Sequence, residues 1–132
     1  MSDQKILVDT SIWIEYFRNN EKYGSLIDDS LNLEEIVITG LIISELLHGV
    51  KSSKEYDMLS SSIVAVPYIE CIYEDWINTG KILYDLKKRG ISIPLTDVLI
   101  AYIAIRSSAS VLTLDKHFKD ISLLSALNIY EY

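Results

Sequence analysis

Four carboxylates stand where the surrounding pattern favours a binding site over an ordinary solvated surface. Asp9 directly follows the apolar run from Lys5 to Val8, and Asp115 follows a second apolar run. Asp97 lies at the start of a helical stretch behind a proline, while Glu45 interrupts the apolar stripe of another predicted helix. An unpaired charge buried in such a stripe is costly, so we expect Glu45 to be paired, protonated or bound to a cation.

Each of these acids also has a simpler interpretation. Asp9, Asp97 and Asp115 can each cap or favour a helix N-terminus, and Glu45 can reach water if its helix is turned enough. Four anions converging on one edge would nevertheless repel one another and raise their pKa values unless a cation neutralised them. Oxygen ligands of this kind suit Mg²⁺ or Mn²⁺ rather than zinc. The four acids together therefore predict a divalent-metal site.

Such a site has an established use in the hydrolysis of phosphodiester bonds. We expect Asp9, Asp97 and Glu45 to hold the main Mg²⁺, which ionises the attacking water, and Asp115 to complete the site or help a second ion. Attack by that water, rather than by a ribose 2′-hydroxyl, predicts products with 5′-phosphate and 3′-hydroxyl ends.

The two histidines are weak candidates, because this chemistry requires no histidine base. His48 lies near the end of a predicted helix, where a protonated ring suits the helix dipole, and His117 sits beside Phe118. Both histidines are therefore predicted to be structural.

The elements that would position these residues alternate between strands and helices. In chain order we predict a strand at Lys5 to Val8, helices at Ser11 to Arg18 and Tyr23 to Leu33, a strand at Ile36 to Ile38, a helix to about Gly49, a helix at Lys54 to Ser61, a strand at Ile63 to Val66, helices at Tyr73 to Lys88 and from Pro94 or Thr96 to Arg106, a strand at Val111 to Leu114, a helix at Asp115 to Ile121 and an edge strand at Ile129 to Tyr130. This alternation predicts a parallel sheet covered on both faces. Ligands of such sheets sit beyond the carboxyl ends of the strands, at the switch point.

Length and composition limit the class of protein. With 132 residues, 49% of them hydrophobic, the chain is predicted to form one domain over residues 1–132. The longest apolar run, Val98 to Ile105, is far shorter than the roughly 20 residues that span a bilayer, so no membrane is expected. The polar segment Met1 to Lys5 lacks the pattern of a signal peptide, which predicts a cytoplasmic protein.

The net charge of −7 argues against a protein that coats nucleic acid through its overall field. Any polyanionic partner must be held by local contacts. Arg18 and Lys116 lie closest in sequence to the predicted site and are the preferred substrate-binding cations, with Arg106 among the other candidates. The mean hydropathy of +0.21 is high for so charged a small protein and indicates an apolar face covered by a partner.

Four segments resemble, in the correct order, the acidic motifs of PIN domains, particularly of VapC-type toxins. They are VDTSIWIE from Val8, SELLHG from Ser44, PLTDVLIA from Pro94 and TLDKHF from Thr113. The resemblance covers most of the chain. It implies an α/β fold, a three-layer α/β/α sandwich around a mostly parallel sheet, and a Mg²⁺- or Mn²⁺-dependent endoribonuclease.

The resemblance also implies roles for individual residues and for partners. The metal-binding carboxylates would be Asp9, Glu45, Asp97 and Asp115, and the supporting hydroxyls Thr10 or Ser11 and Thr113. It further implies that the substrate is RNA and that the protein is the toxin of a type II toxin–antitoxin pair. Such a toxin forms a dimer, and a small antitoxin covers its active site. PIN domains often carry another Asp two residues beyond the fourth motif acid, where this chain has His117. The sequence therefore leaves open whether one or two metals bind.

Three other classes of protein compete with this interpretation. A phosphotransferase of the haloacid dehalogenase kind needs a second Asp where this chain has Ser11, and a receiver domain needs an acidic pair beside Asp9. The remaining alternative is a catalytically silent PIN-like binding module that acts through its partner interface. Specific Mg²⁺ binding that depends on Asp9 separates that module from the enzyme.

Overall fold

The strand that precedes Asp9 forms because three successive apolar residues are buried on both faces of a sheet. The computed structural model describes residues 3–132, so Met1 and Ser2 of the polar N-terminal segment lie outside the described residues. The first strand, β1, covers Ile6–Val8, and all three of its side chains are fully buried. A continuous apolar run of this kind is typical of a central parallel strand.

Five strands and seven helices alternate through residues 3–132. In chain order they are β1 (Ile6–Val8), α1 (Thr10–Phe17), α2 (Glu21–Asn32), β2 (Ile36–Thr39), α3 (Gly40–His48), α4 (Ser53–Ile63), β3 (Tyr68–Ile69), α5 (Tyr73–Lys88), α6 (Leu95–Arg106), β4 (Ser110–Leu112), α7 (His117–Leu123) and β5 (Asn128–Ile129). The sequence predicted most of these elements to within one or two residues.

The sheet is parallel throughout, with the strand order β3-β2-β1-β4-β5. Leu7 at the centre of β1 pairs with Val37 on one side and Val111 on the other. The chain first builds outward from β1 to β3, and then returns to place β4 on the other side of β1. The carboxyl ends of β1 and β4 therefore form the switch point at which such sheets bind ligands.

Helices cover the sheet and complete the predicted three-layer α/β/α sandwich. Helices α1 to α4 pack against one another, and α5, α6 and α7 form a second packed group. Helix α6 is buried on most of its surface, because six of its apolar residues enter the core: Val98, Leu99, Ile100, Ala101, Ile103 and Ala104. None of the helices within residues 3–132 has the length and apolar character needed to cross a bilayer.

The strand predicted at Ile63 to Val66 is wrong. Ile63 is the last residue of α4, and the amide of Val66 donates a 2.9 Å hydrogen bond to its carbonyl in the turn that follows. The β-branched residues favoured a strand, but burial of Leu59 and Ile63 on one side of α4 extends the helix instead. The edge strand β3 begins only after Pro67 and pairs with β2.

The predicted start of the helix after β4 is also displaced. Helix α7 begins at His117 instead of Asp115, and β4 ends at Leu112 instead of Leu114. The Asp115 carboxylate accepts a 2.9 Å hydrogen bond from the amide of His117, so it acts from outside the helix on the first turn. Residues 113–116 form the connection that carries the fourth acidic motif.

A buried ion pair joins α5 to α6. Arg106 donates from Nε to Oδ1 of Asp75 at 2.6 Å, and from Nη2 to Oδ2 of Asp75 at 2.9 Å and to the carbonyl of Glu70 at 2.7 Å. Asp75 is 0% exposed. A bidentate pair of this kind holds its guanidinium firmly, so Arg106 is engaged within the fold rather than directed to a phosphate.

Candidate metal centre

Asp9 lies at the carboxyl end of β1, where its carboxylate faces the end of β4. The residue is the N-cap of α1, but its side chain is directed to two hydroxyls instead of to the helix backbone. Oδ2 accepts hydrogen bonds from Ser11 Oγ at 3.0 Å and from Thr113 Oγ1 at 2.8 Å, and the residue is only 6% exposed. The simple capping interpretation of Asp9 is therefore wrong for its side chain.

The Thr113 hydroxyl connects two of the predicted acids. It donates to Asp9 and accepts a 2.9 Å hydrogen bond from the amide of Asp115. The Ser11 hydroxyl, 3.5 Å from that of Thr113, accepts a 3.1 Å hydrogen bond from the amide of Leu114. These contacts fix the connection after β4 against the beginning of α1. Both hydroxyls thus lie beside the predicted acids, and their supporting role at a metal stays a prediction.

Glu45 reaches the same edge from α3 without being buried in an apolar stripe. The residue is exposed, as the simpler interpretation expected, and its Oε1 accepts a 3.0 Å hydrogen bond from the Thr10 hydroxyl. Partial desolvation of the carboxylate raises its pKa, and the negative charges of Asp9 and Asp97 raise it further, against the lowering effect of the Thr10 hydroxyl. Glu45 therefore belongs to the acidic group although it also contacts water.

Asp97, in the first turn of α6, forms a compact group with Asp115 and His117. Nδ1 of His117 lies 2.8 Å from Oδ2 of Asp97 and 3.2 Å from Oδ1 of Asp115. The sequence assigned His117 a structural role beside Phe118. That assignment missed its contacts, because the imidazole turns toward the two acids while Phe118 alone enters the core. No residue type or spacing in the sequence indicated this orientation.

The electrostatic environment joins all four predicted acids. Burial raises the pKa of Asp97, and the charges of Asp115 and Asp9 raise it further, whereas the hydrogen bond from His117 lowers it. The hydrogen bond to Asp97 in turn raises the pKa of His117. The placement of the acids itself follows from hydrogen bonds: Thr113 links Asp9 to the amide of Asp115, and His117 contacts Asp97. Glu45 is held beside the beginning of α1 through Thr10.

The donor set suits a divalent cation. Ligand atoms of Asp97, Asp115 and His117 all lie within 4.8 Å of one another. Asp9 and Glu45 lie outside this group of three, but each is close enough to Asp97 for the two charges to interact. Clustered carboxylates with raised pKa values favour the binding of positive charge. The group therefore fits a metal that accepts carboxylate oxygens, and it offers one imidazole nitrogen as well.

An apolar groove of about 570 Å³ opens beside Glu45. Its apolar lining comes from α1, α3, α4 and the segment between α3 and α4: Ile14, Phe17, Leu46, Val50, Met58 and Leu59. Arg18, one of the predicted substrate-binding cations, borders this groove, and its Nη1 lies 3.6 Å from Oε1 of Glu15. Lys116, the other, is exposed directly before α7 and next to the acidic group.

Comparison with known proteins agrees with this architecture. The family model for the PIN domain matches residues 6–124. Ribonuclease VapC1 of Methanocaldococcus jannaschii is 32% identical over 98% of this chain and 89% of its own length. Among solved structures, VapBC2 from Rickettsia felis, bound to a DNA fragment from its promoter, superimposes with a TM-score of 0.82 at 20% identity over 98% of this chain and 99% of the other. A toxin–antitoxin complex from Klebsiella pneumoniae gives a TM-score of 0.73 at 16% identity over 97% of this chain and 100% of the other.

Proposed function

This chain belongs to the PIN domain family, and on that premise we propose that it is a divalent-metal-dependent endoribonuclease, the toxin of a type II toxin–antitoxin pair. The proposal is supported by the hydrogen bonds that link Asp9, Asp97 and Asp115 through Thr113 and His117 at the switch point between β1 and β4, with Glu45 held nearby through Thr10. The single nuclease domain is proposed to extend over the whole chain, residues 1–132.

The proposed metal is Mg²⁺ or Mn²⁺, held mainly by Asp9, Asp97 and Glu45, with Asp115 completing the site. A divalent cation bound there supplies the positive charge that ionises an attacking water and stabilises the leaving oxygen of a phosphodiester. The protein contributes position: Thr113 and Ser11 orient the Asp9 carboxylate through hydrogen bonds of 2.8 and 3.0 Å. Such outer hydrogen bonds hold metal-binding carboxylates in a productive arrangement.

The proposed substrate is RNA, held near the acids by local cations. A net charge of −7 opposes binding of a polyanion through the overall field, so phosphate contacts must be concentrated at few points. Lys116 is one such point, because it is exposed and adjoins the acidic group. Arg18 is a second point, on the edge of the groove beside Glu45.

A cognate antitoxin is the proposed occupant of the apolar groove. Phe17 is 44% exposed and Met58 63% exposed there, which leaves apolar surface for a partner to cover. The groove reaches Glu45, so a partner seated in it can also extend a cationic side chain toward the acids. Bidentate pairing of an antitoxin arginine with these carboxylates would block the site. The toxin–antitoxin complex from Klebsiella pneumoniae supports this assembly by analogy of fold.

A homodimer is proposed through a different surface, the exposed face of α5. Tyr73, Trp76, Ile77 and Tyr84 follow one another at helical spacing there, and each is more than half exposed. Gly80 lies between them, with no heavy atom within 4 Å of where its Cβ would be. Aromatic side chains around an open glycine provide a surface against which a second copy of the helix can pack closely.

The decisive experiment is cleavage of total cellular RNA by antitoxin-free protein with Mg²⁺, with Mn²⁺ and with EDTA. We expect discrete cuts that leave 5′-phosphate ends, that EDTA abolishes and that Asp9→Asn reduces at least about 100-fold. Asp29→Asn, on the exposed surface of α2, is the matched control and should cleave normally. Full activity in EDTA contradicts the metal mechanism, and folded protein that cleaves no RNA with either metal favours the silent binding module.

A further inference from the structure

The imidazole of His117 lies beside two of the carboxylates proposed to bind the cation. Its Nδ1 is 2.8 Å from Oδ2 of Asp97 and 3.2 Å from Oδ1 of Asp115. Two adjacent ligands of an octahedral cation, each about 2.1 Å from the metal, are separated by about 3 Å. Nδ1 therefore lies at the spacing of an adjacent octahedral ligand from each of the two oxygens, and ligand atoms of the three residues all lie within 4.8 Å of one another. A bound cation would replace the proton of the hydrogen bond between His117 and Asp97.

The position of His117 is fixed by the backbone as well as by its ring. Its amide donates a 2.9 Å hydrogen bond to Oδ1 of Asp115, and the amide of Asp115 donates to the Thr113 hydroxyl. This chain of hydrogen bonds extends from Asp9 to the beginning of α7. The imidazole is thus built into the same network as the acids, and its ring is only partly exposed to solvent.

The chemistry of the nitrogen atom determines which metals the site prefers. Mg²⁺ is a hard cation that binds oxygen ligands and dehydrates reluctantly, whereas imidazole suits transition metals. Mn²⁺ accepts carboxylate oxygens as Mg²⁺ does and also tolerates a nitrogen ligand. Replacing one oxygen ligand with an imidazole nitrogen therefore raises the ratio of Mn²⁺ affinity to Mg²⁺ affinity above that of an all-oxygen site.

We propose that His117 is a direct nitrogen ligand of the catalytic cation and makes this enzyme selective for Mn²⁺ over Mg²⁺. The inference rests on the proposed function, since it assigns a residue to the metal site of that nuclease. In this role His117 determines metal specificity. Its imidazole is a neutral ligand, so it adds no negative charge to the site, whereas a carboxylate at this position would.

Two measurements on the full-length protein test the role of His117, and neither uses RNA cleavage. Electron spin-echo modulation of bound Mn²⁺ detects a coordinated ¹⁴N nucleus directly, and calorimetric titration gives the affinities for Mn²⁺ and Mg²⁺. The chain has only two histidines, so His48→Gln is the matched control for His117→Asp. We expect ¹⁴N modulation in the wild type and in His48→Gln, and its loss in His117→Asp. The ratio of Mn²⁺ affinity to Mg²⁺ affinity should be roughly tenfold lower in His117→Asp than in the wild type.

Each outcome bears on the proposal. Mn²⁺ that binds with dependence on Asp9 but shows no ¹⁴N modulation overturns the role of His117 and leaves the proposed nuclease intact. An unchanged Mn²⁺ to Mg²⁺ affinity ratio in His117→Asp overturns the claim of selectivity. Wild-type protein that binds neither metal overturns this inference together with the proposed metal-dependent function. His117→Gln, which keeps a neutral polar side chain, separates loss of the nitrogen ligand from the added charge of Asp.

Discussion

Thr113 Oγ1 donates a 2.8 Å hydrogen bond to Oδ2 of Asp9, and this contact ties the carboxyl end of β4 to that of β1. The same oxygen accepts a hydrogen bond from the amide of Asp115. One hydroxyl therefore sets the relative position of two acids that come from opposite ends of the chain. Loss of the Thr113 hydroxyl should therefore weaken metal binding at the proposed site without removing any carboxylate.

We expect Thr113→Val to weaken Mn²⁺ binding by roughly 10- to 100-fold, because metal sites depend on such outer hydrogen bonds to about that extent. Valine keeps the shape of threonine but can neither orient Asp9 nor accept from the amide of Asp115. Thr113→Ser retains the hydroxyl and should bind the metal almost normally. Calorimetric titration measures both, and equal affinity for Thr113→Val and wild type would contradict the role of the hydroxyl.

Replacing Glu45 with Gln should stabilise the metal-free protein at neutral pH. Partial burial and the charges of Asp9 and Asp97 raise the pKa of Glu45, so the folded state binds its proton more tightly than the unfolded state does. The stability that protonation of Glu45 contributes is complete below the pKa of this residue in the unfolded chain. It is lost as the pH rises through the higher pKa of Glu45 in the folded protein. Glutamine is neutral at every pH and can still accept the hydrogen bond from Thr10.

Thermal unfolding in EDTA should therefore show a higher Tm for Glu45→Gln at pH 7, by roughly 1–3 °C, and a vanishing difference in acid. With saturating Mn²⁺ the order should reverse, because the wild type gains more from metal binding. The exposed Glu131, changed to Gln, serves as the control and should leave the Tm unchanged. A lower Tm for Glu45→Gln in EDTA at pH 7 would mean that repulsion among the acids is not significant.

The ion pair between Arg106 and Asp75 should be a stability determinant and not a substrate contact. Arg106→Gln leaves the fully buried Asp75 carboxylate without its charged partner, which costs about 3 kcal/mol or more in the free energy of unfolding. Adding Asp75→Asn removes the buried charge and should restore part of the loss. Urea unfolding measures both variants. RNA cleavage per folded molecule should stay at the wild-type level, and a selective fall in RNA affinity would return Arg106 to the substrate-binding residues.

A charge in the apolar groove should prevent antitoxin binding while sparing RNA cleavage. Met58 is exposed on the groove wall, and Met58→Glu places a carboxylate where apolar contact is proposed. The expected loss of affinity for the cognate antitoxin is roughly 30-fold or more, as for other central interface residues. Val64→Glu alters an even more exposed apolar residue outside the groove and should bind the antitoxin normally. If the antitoxin inhibits RNA cleavage by Met58→Glu at the same concentrations at which it inhibits the wild type, the antitoxin binds elsewhere.

Disruption of the α5 face should produce a monomer. Trp76→Glu introduces a charge at the centre of the exposed aromatic stripe, and burial of that charge in a dimer interface would be strongly unfavourable. Light scattering after size exclusion should give about twice the 15.0 kDa chain mass for wild type and for Met58→Glu, and the chain mass for Trp76→Glu. A wild-type protein that remains monomeric at micromolar concentration contradicts the proposed homodimer.

The parallel sheet and the grouping of the acids could be predicted because local pattern and topology agree. The apolar run of β1 ends at Asp9, that of β4 ends shortly before Asp115, and parallel strands bring their carboxyl ends to one edge. Long amphipathic helices such as Tyr73–Lys88 were predicted accurately, since their periodicity extends over several turns. Short segments were less certain, and the strand predicted at Ile63 to Val66 proved to be the end of a helix.

Side-chain directions could not be obtained from the sequence. Whether His117 turns to Asp97 or to the core depends on where α7 begins, and the helix begins two residues later than its pattern indicated. Arg106 and Asp75 lie 31 residues apart on two consecutive helices, and no local pattern signals their pairing. Both contacts are tertiary, so they follow from the packing of elements that the sequence could only place in order.

The four acids reach the metal centre from four separate segments, and the last of them follows β4, which must lie beside β1. A nascent chain on the ribosome therefore carries an incomplete set of carboxylates until its final quarter has emerged and β4 has been inserted. A product that ends before β4 lacks Thr113 and Asp115, so under the proposed function we expect it to be inactive. The proposed nuclease activity would then begin only once β4 is in place, and an antitoxin translated at the same time would have the preceding period of synthesis in which to be ready.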